Sequence, residues 1–327
     1  MKSYELRSGK PEMFDDYYRL YVQETLETYG KNNTTPDQLR GEWEESGHDP
    51  ESHFLGVFHE DVMIGYGNLT APRVPPVRPY LFGYVDPTHR GNGLGTKIAQ
   101  WGKKQAQIFV PLCPPEARIV LQGVTQHKEG VELLIQAGFV RSRESLQLHL
   151  DFTPPLPHPP SLPEGYRIRT LADGLEVFEI AQVHGRSFRD HRGHLPQPPE
   201  RIAAQYQKEF DHAPNFDPHL VGVLDVDDRA AAFFIALPES EDDPDLGWID
   251  GLGVDPLFRR RGIAGLLLDH CFAELAAKGK KGVDLVVDGS SLTGADRLYY
   301  RKGMTLRQTY TIMDYLVREG IEITPQG

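Results

Sequence analysis

One short pattern occurs twice in this chain and limits what it can fold into. The sequence VDPLFRRRGIAGLLL runs from Val254 to Leu268, and a weaker copy, VDPTHRGNGLGTKI, runs from Val85 to Ile98. Both share Val-Asp-Pro, an arginine five residues after the valine, a glycine three further on and a small residue two beyond that. In each copy an apolar run ends at the valine and an amphipathic helix follows. In the second, Ile263, Leu266, Leu267, His270 and Cys271 fall at the i, i+3, i+4, i+7, i+8 spacing of a helix packed on one face. The beginning of a helix leaves backbone N–H groups unpaired and carries the positive end of the helix dipole, so it attracts anions. Glycine or alanine there lets a phosphate approach the main chain.

The surroundings of the two copies repeat as well. In the first half, Tyr4 to Arg7 reads as a strand, Met13 to Tyr29 as a helix, and Thr35-Pro36 as the start of another. A hairpin spans Phe54 to Leu69, a buried strand Ala117 to Val124, a short helix Lys128 to Ala137 closed by Gly138, and a last strand Leu146 to Leu150. The second half has the same order. A strand at Tyr166 to Arg169 precedes helices at Leu175 to Phe188 and Pro199 to Phe210, and a hairpin turns at Asp227-Asp228. A strand then runs from Trp248 to Val254. After the repeated pattern come a buried strand, Val283 to Val287, a helix capped by Thr293 and stopped by Gly303, and a strand from Tyr310 to Leu316. Between the halves, residues 153–164 read TPPLPHPPSLPE, whose six prolines favour a stiff, extended linker. The expected organisation is one domain over 1–152, the linker, and a second domain over 165–327.

Composition narrows the partners. A chain of 327 residues with 39% hydrophobic and 25% charged residues is long enough for two cores. Its net charge of −12 argues against a nucleic-acid surface and is compatible with a cationic small substrate. Two cysteines, Cys113 and Cys271, lie in different halves and make no disulfide framework, which fits a reducing, cytoplasmic setting. No apolar run is long enough to span a bilayer. No metal is expected, and the chain is expected to be a monomer or homodimer. Neither copy of the pattern is the dinucleotide motif GxGxxG, and neither ends in the Gly-Lys-Ser/Thr of a Walker loop.

Strand, Val-Asp-Pro, Arg-x-x-Gly-x-Gly/Ala, helix, buried strand, and a short helix ending Leu-Tyr-x-x-x-Gly together resemble the GNAT acetyltransferase superfamily. The resemblance covers most of both halves. It implies an α/β fold of two tandem GNAT domains, each a mostly antiparallel sheet with helices on both faces and a splayed strand pair that binds acyl-CoA. It also implies acetyl-CoA as cosubstrate. In the second half the pyrophosphate would meet Arg259, Arg260, Arg261, Gly262, Ile263, Ala264, Gly265 and Leu266. Pantetheine would pair along Leu252, Gly253 and Val254, beside a bulge. Ser291 stands where many relatives have asparagine, which leaves its role open. The matching first-half positions are Val85, Arg90, Gly91, Asn92, Gly93, Leu94, Gly95 and Thr96.

Acetyl transfer to an amine needs a neutral amine and a proton for the leaving thiolate. The resemblance assigns that proton to Tyr299, in LYYRKGM, whereas the first half has Leu133-Leu134 in the matching LLIQAGF. A base would come from Asp250, expected on the same strand face as Leu252 if the strand is regular, or from Asp288 after the buried strand. Leu81 is the first-half residue aligned with Asp250. The acceptor would meet the loop FRDHRGHLPQPPE through Asp190 and His191, and the acidic turn from Glu239 to Asp245 could draw in a cation. The expectation is an N-acetyltransferase of a small-molecule amine that works in its C-terminal half, with a degenerate N-terminal half. The layout is similar to that of mycothiol synthases. An aminoglycoside or polyamine acetyltransferase and a non-catalytic acyl-CoA sensor are the alternatives.

Overall fold

The computed structural model describes residues 3–44, 49–191, 194–213, 215–240, 243–289 and 295–323. The first half runs β1 (Glu5–Ser8), α1 (Phe14–Tyr29), α2 (Pro36–Trp43), α3 (Pro50–His53), β2 (Phe54–His59), β3 (Val62–Thr70), β4 (Tyr80–Val85), α4 (Leu94–Gln105), β5 (Ile119–Thr125), α5 (Lys128–Gln136) and β6 (Val140–Asp151). The second runs β7 (Tyr166–Thr170), α6 (Val177–Phe188), α7 (Pro199–His212), β8 (Val221–Val226), β9 (Arg229–Leu237), β10 (Leu246–Val254), α8 (Ile263–Ala277), β11 (Gly282–Asp288), α9 (Ala295–Arg301) and β12 (Thr305–Arg318).

Local chemistry accounts for these boundaries. Thr35 and Gln38 exchange side-chain to backbone hydrogen bonds at 2.7 and 3.3 Å and start α2 as a capping box. Glu60-Asp61 and Asp227-Asp228 turn the two hairpins with positive φ at both residues, the twist that a tight two-residue hairpin loop requires. Thr293 and Ser291 lie outside the described residues, as do Glu241 and Asp242 of the acidic turn.

The compact units do not follow a single cut at the proline-rich segment. One unit comprises Met1–Ser145 with Thr309–Ile323, and the other Leu146–Gln308. The C-terminal strand therefore completes the first unit, while the end of β6 belongs to the second. Strand order in the first unit is β1-β2-β3-β4-β5-β12, and in the second β6-β11-β10-β9-β8-β7. Strand pairing depends on backbone hydrogen bonds and face-to-face burial, so chain order does not dictate which sheet a terminal strand joins. In each unit a buried polar group on the strand beside the exchanged one is answered by it. Gln122 of β5 donates to Asp314 of β12 at 2.8 Å. Asp284 of β11, fully buried, takes Gln147 at 2.9 Å and His149 at 2.5 Å from β6, and Arg307 from the start of β12.

Each sheet is covered on both faces. In the second unit α8 packs with Ile249, Phe234 and Leu285 on one face, while α6 and α7 pack with Phe233, Ile235 and Val223 on the other. In the first, Ile98 and Ala99 of α4 pack against Leu81 and Leu121, and α1 and α2 pack against Phe54, Tyr66 and Tyr84. Among the described residues, no helix is long and apolar enough to cross a membrane.

Candidate active site

The site is built around β10. This strand pairs in parallel with β11 only from Leu246 to Ile249, opposite Gly282 to Leu285. Among the described residues no further pairing joins the two beyond Ile249, so the backbone of Leu252 to Val254 has no strand partner on that edge, as the splayed pair requires. On its other edge β10 pairs with β9, and the register slips between Ile249 and Gly251. Asp250 is the extra residue of this bulge and has no partner on β9.

The bulge corrects two expectations. The strand is not regular, so Asp250 does not share the face of Leu252. Ile249, Leu252 and Val254 pack on the α8 side. Gly251 and Gly253 lie against the ring of Phe233 on the α6–α7 side, and Asp250 accepts the indole N–H of Trp248 at 3.4 Å. The first-half counterpart also changes. β4 pairs with β3 without a slip, and Leu81 sits opposite Leu69 as Ile249 sits opposite Ala236. Leu81 therefore matches Ile249, and Asp250 has no counterpart in the first unit. By the same registers Gln126 stands where the second unit has Asp288.

The repeated turns are held alike. Asp86 and Asp255 each accept a backbone N–H two residues on, from Thr88 and Leu257. Each also takes a bond from the first long helix of its unit, from Gln23 of α1 at 3.0 Å and Arg186 of α6 at 2.7 Å. Helix α8 is preceded by Gly262 as N-cap, with φ of +79° and no side-chain cap, so among the described residues no side chain accepts from the first amides of α8, an arrangement suited to an anion. Gly93 does the same for α4. Arg260 has φ of +66°, where the first copy has Gly91 at +79°. An arginine held in the left-handed region costs about 1 kcal/mol, so its charge is kept there against a local penalty.

Arg259 and Asp190 differ from expectation. The guanidinium of Arg259 is turned toward α6. It donates to the Val254 carbonyl at 3.2 Å, to the Ser187 carbonyl at 2.8 Å, and to both oxygens of Asp190 at 2.5 and 2.8 Å. Arg90 likewise holds Val85 and Glu27. These arginines clamp the end of a helix to the end of a strand, and the positive charge left beside the loop is that of Arg260 and Arg261. Asp190, expected at the acceptor, is occupied by this clamp, and Arg259 holds its pKa below the usual carboxylate range.

The remaining candidates are partly gathered. Asp250 is open to solvent yet sits among protein atoms. That crowding pushes its pKa up against the opposing Trp248 hydrogen bond. His191 packs edge-on against Phe188, ring centroids 4.5 Å apart, and burial pushes its pKa down. Charges of Asp190 and, more weakly, Asp288 counter that effect, so Asp288 is within electrostatic reach of the loop after α6. Tyr299 is 9% exposed in the core beside α8, burial raises its pKa to about 12, and among the described residues its hydroxyl has no hydrogen-bond partner. In the first unit Leu134 holds this place, also buried. Sequence reasoning missed His184 and Tyr206, which are hydrogen-bonded to each other on the α6–α7 side of β10. Their signal was a polar residue on each helix's apolar stripe, beside Ile180, Ala181 and Val183, and beside Ile202 and Phe210.

The acetyltransferase (GNAT) family matches residues 14–108 and 180–304. The chain belongs to this family. It is an N-acetyltransferase by that membership, with two tandem GNAT regions. A mycothiol acetyltransferase of Thermobispora bispora is 29% identical over 267 residues, covering 80% of this chain and 83% of that protein. One of Beutenbergia cavernae is 30% identical over 264 residues, 77% of this chain and 80% of that one. A GCN5-related N-acetyltransferase of Sphaerobacter thermophilus superposes with a TM-score of 0.78 at 27% identity over 98% of each chain. A tandem GNAT protein from the clavulanic acid biosynthesis pathway shares the fold, with a TM-score of 0.68 at 12% identity.

Proposed function

We propose that this N-acetyltransferase carries acetyl from acetyl-CoA to a small-molecule amine, with the chemistry in its second GNAT region. The observation that carries this reading is the bulge of β10. It adds Asp250 to the unit that has Tyr299, while the first unit has no residue at the former place and Leu134 at the latter.

The second unit fits the cosubstrate. The start of α8 has no side-chain cap, Gly262 has nothing within 4 Å of where a side chain would stand, and Arg260 and Arg261 flank it. These residues would hold the pyrophosphate, and the free edge of Leu252 to Val254 would pair with pantetheine. Acetyl-CoA supplies the electrophilic thioester carbon and the departing thiolate. Asp250 takes a proton from the acceptor ammonium, its raised pKa bringing it closer to that task. Tyr299 stays protonated at neutral pH and holds its hydroxyl proton for the leaving sulfur. Asp288 and His191 line the acceptor side. The first GNAT region keeps Gly93 and its turn and serves a structural or CoA-holding role. The names of the relatives make the amine precursor of mycothiol the first acceptor to try, ahead of aminoglycosides and polyamines.

The test is acetyl transfer from labelled acetyl-CoA to an amine panel of desacetyl-mycothiol, glucosamine, spermidine and kanamycin. With the best acceptor, Tyr299→Phe is expected to lower kcat by about 10- to 100-fold with the KM for acetyl-CoA unchanged. Unchanged turnover in that variant removes Tyr299 as the acid. Acetyl-CoA binding with no transfer across the panel supports a sensor.

A further inference from the structure

Behind Asp250 the second unit buries a polar pair that the reaction as described does not use. His184 projects from α6 and Tyr206 from α7, and the phenol hydroxyl and imidazole Nδ1 share a hydrogen bond. Tyr206 is 8% exposed and belongs to the apolar cluster of Phe233 and Ile235. The imidazole stacks on Phe233, with centroids 5.3 Å apart and planes 9° from parallel.

Phe233 is itself fixed by β10. It lies opposite Gly253, and a Cβ on Gly253 or Gly251 would stand 2.5 or 3.2 Å from its ring. The two glycines thus bring the stack close against the strand that carries Asp250, on the face toward which the bulge turns Asp250. Burial holds the Tyr206 phenol's pKa well above the ordinary value, and the negative charges of Asp250 and of Glu209 on α7 add to it. Tyr206 is therefore a neutral phenol. Among the described residues its hydrogen-bond partner is the imidazole, and with Nδ1 unprotonated the phenol is the donor of that bond. A hydroxyl that donates inward presents only lone pairs outward.

We infer that Tyr206 is a positioning residue of the acceptor subsite: its oxygen, with the proton committed to His184 Nδ1, accepts an N–H of the substrate ammonium beside the Asp250 carboxylate. The ligand class is a primary ammonium group, for which two acceptors are complementary. His184 acts through Tyr206 by setting the direction of its proton. This rests on the reading of Asp250 as the base.

Two measurements test it. The first needs no substrate: ¹⁵N shifts of the His184 ring in the full-length protein are expected to show Nδ1 unprotonated at pH 7.5. A protonated Nδ1 would turn the phenol proton outward and overturn the proposal. The second is kinetic, with the best amine of the panel above. Tyr206→Phe is expected to raise the KM of the amine at least 10-fold, with kcat within about threefold and the KM of acetyl-CoA unchanged. His184→Asn keeps an acceptor near Nδ1 and is expected to stay near wild type, whereas His184→Leu behaves as Tyr206→Phe. An amine KM that does not move in Tyr206→Phe overturns the proposal. Asp250→Asn reports separately on the base by losing kcat at least 100-fold, so failure of that reading is visible apart from failure of this one. Thermal melts exclude unfolding, and His184→Asn and the ring shifts still decide the matter if His184→Leu does not fold.

Discussion

Arg259 grips Asp190 with two guanidinium nitrogens, at 2.5 and 2.8 Å, and so ties the end of α6 to the end of β10. Glu27 and Arg90 repeat the clamp in the first unit, at 2.6 and 2.8 Å. A pair of this kind, partly open to solvent, contributes about 1 kcal/mol. Asp190→Asn is expected to lower the melting temperature by roughly 2–4 °C and to leave the amine KM unchanged. The folded pKa of Asp190 is depressed, so the stabilisation is complete above the ordinary carboxylate pKa and is lost as pH falls through the folded value. Melts of both proteins should converge in acid. A raised amine KM in Asp190→Asn would return Asp190 to the acceptor site.

Gly262 and Arg260 separate backbone from charge in the loop. Gly262→Ala places a side chain at φ of +79° with nothing within 4 Å, so its penalty is conformational, about 1 kcal/mol. Because the methyl also shields the amides, acetyl-CoA binding by calorimetry is expected to weaken at least 10-fold. Arg260→Gly removes left-handed strain and one positive charge. Its melting temperature should hold or rise while acetyl-CoA binding weakens several-fold.

Glu24 of α1 is hydrogen-bonded to Tyr66 and its pKa is pushed up to about 7, with burial outweighing that bond, the charge of Glu27 adding and Arg90 opposing. With a folded pKa above its unfolded value near 4.5, the native state binds more protons between about pH 4.5 and 7, and stability falls as pH rises through that window. Above it the cost is constant. Glu24→Gln is expected to be more stable than wild type at pH 8 by on the order of 2 kcal/mol, with the difference vanishing near pH 4.5. Parallel chemical unfolding curves at pH 4.5, 6 and 8 measure it. A pH-independent difference would contradict the assignment.

Asp284 is wholly buried and ringed by Gln147, His149 and Arg307, so removing one partner leaves charge poorly matched. Arg307→Met is expected to cost about 3–5 kcal/mol, while the double variant Arg307→Met with Asp284→Asn recovers most of it. Denaturant unfolding of the single and double variants gives the coupling directly. No recovery in the double variant would show that the arginine acts through packing alone.

Much of the fold was legible in the residues. Periodicity, caps and turn chemistry marked nearly every helix and strand, because those signals are local: Pro36 after Thr35, Asp227-Asp228 in a tight hairpin, and Gly138 and Gly303 with φ of +88° and +87° after short helices. The duplicated turn was legible for the same reason, since Val-Asp-Pro and the following glycine act within one turn of chain. So was the contrast between Tyr299 and Leu134, which is a matter of residue type.

Tertiary structure decided what depends on register and on distant partners. Whether β12 completes the first sheet depends on edge pairing and on buried matches such as Gln122 with Asp314, which lie far apart in sequence. Sequence spacing treats a strand as strictly alternating, so it put Asp250 beside Leu252. One extra residue opposite β9 reverses that face and aims the carboxylate at α7. The arginine of the repeated turn looked like a phosphate ligand because charge is visible in sequence, but only the fold brings Asp190 and Glu27 within reach to claim it.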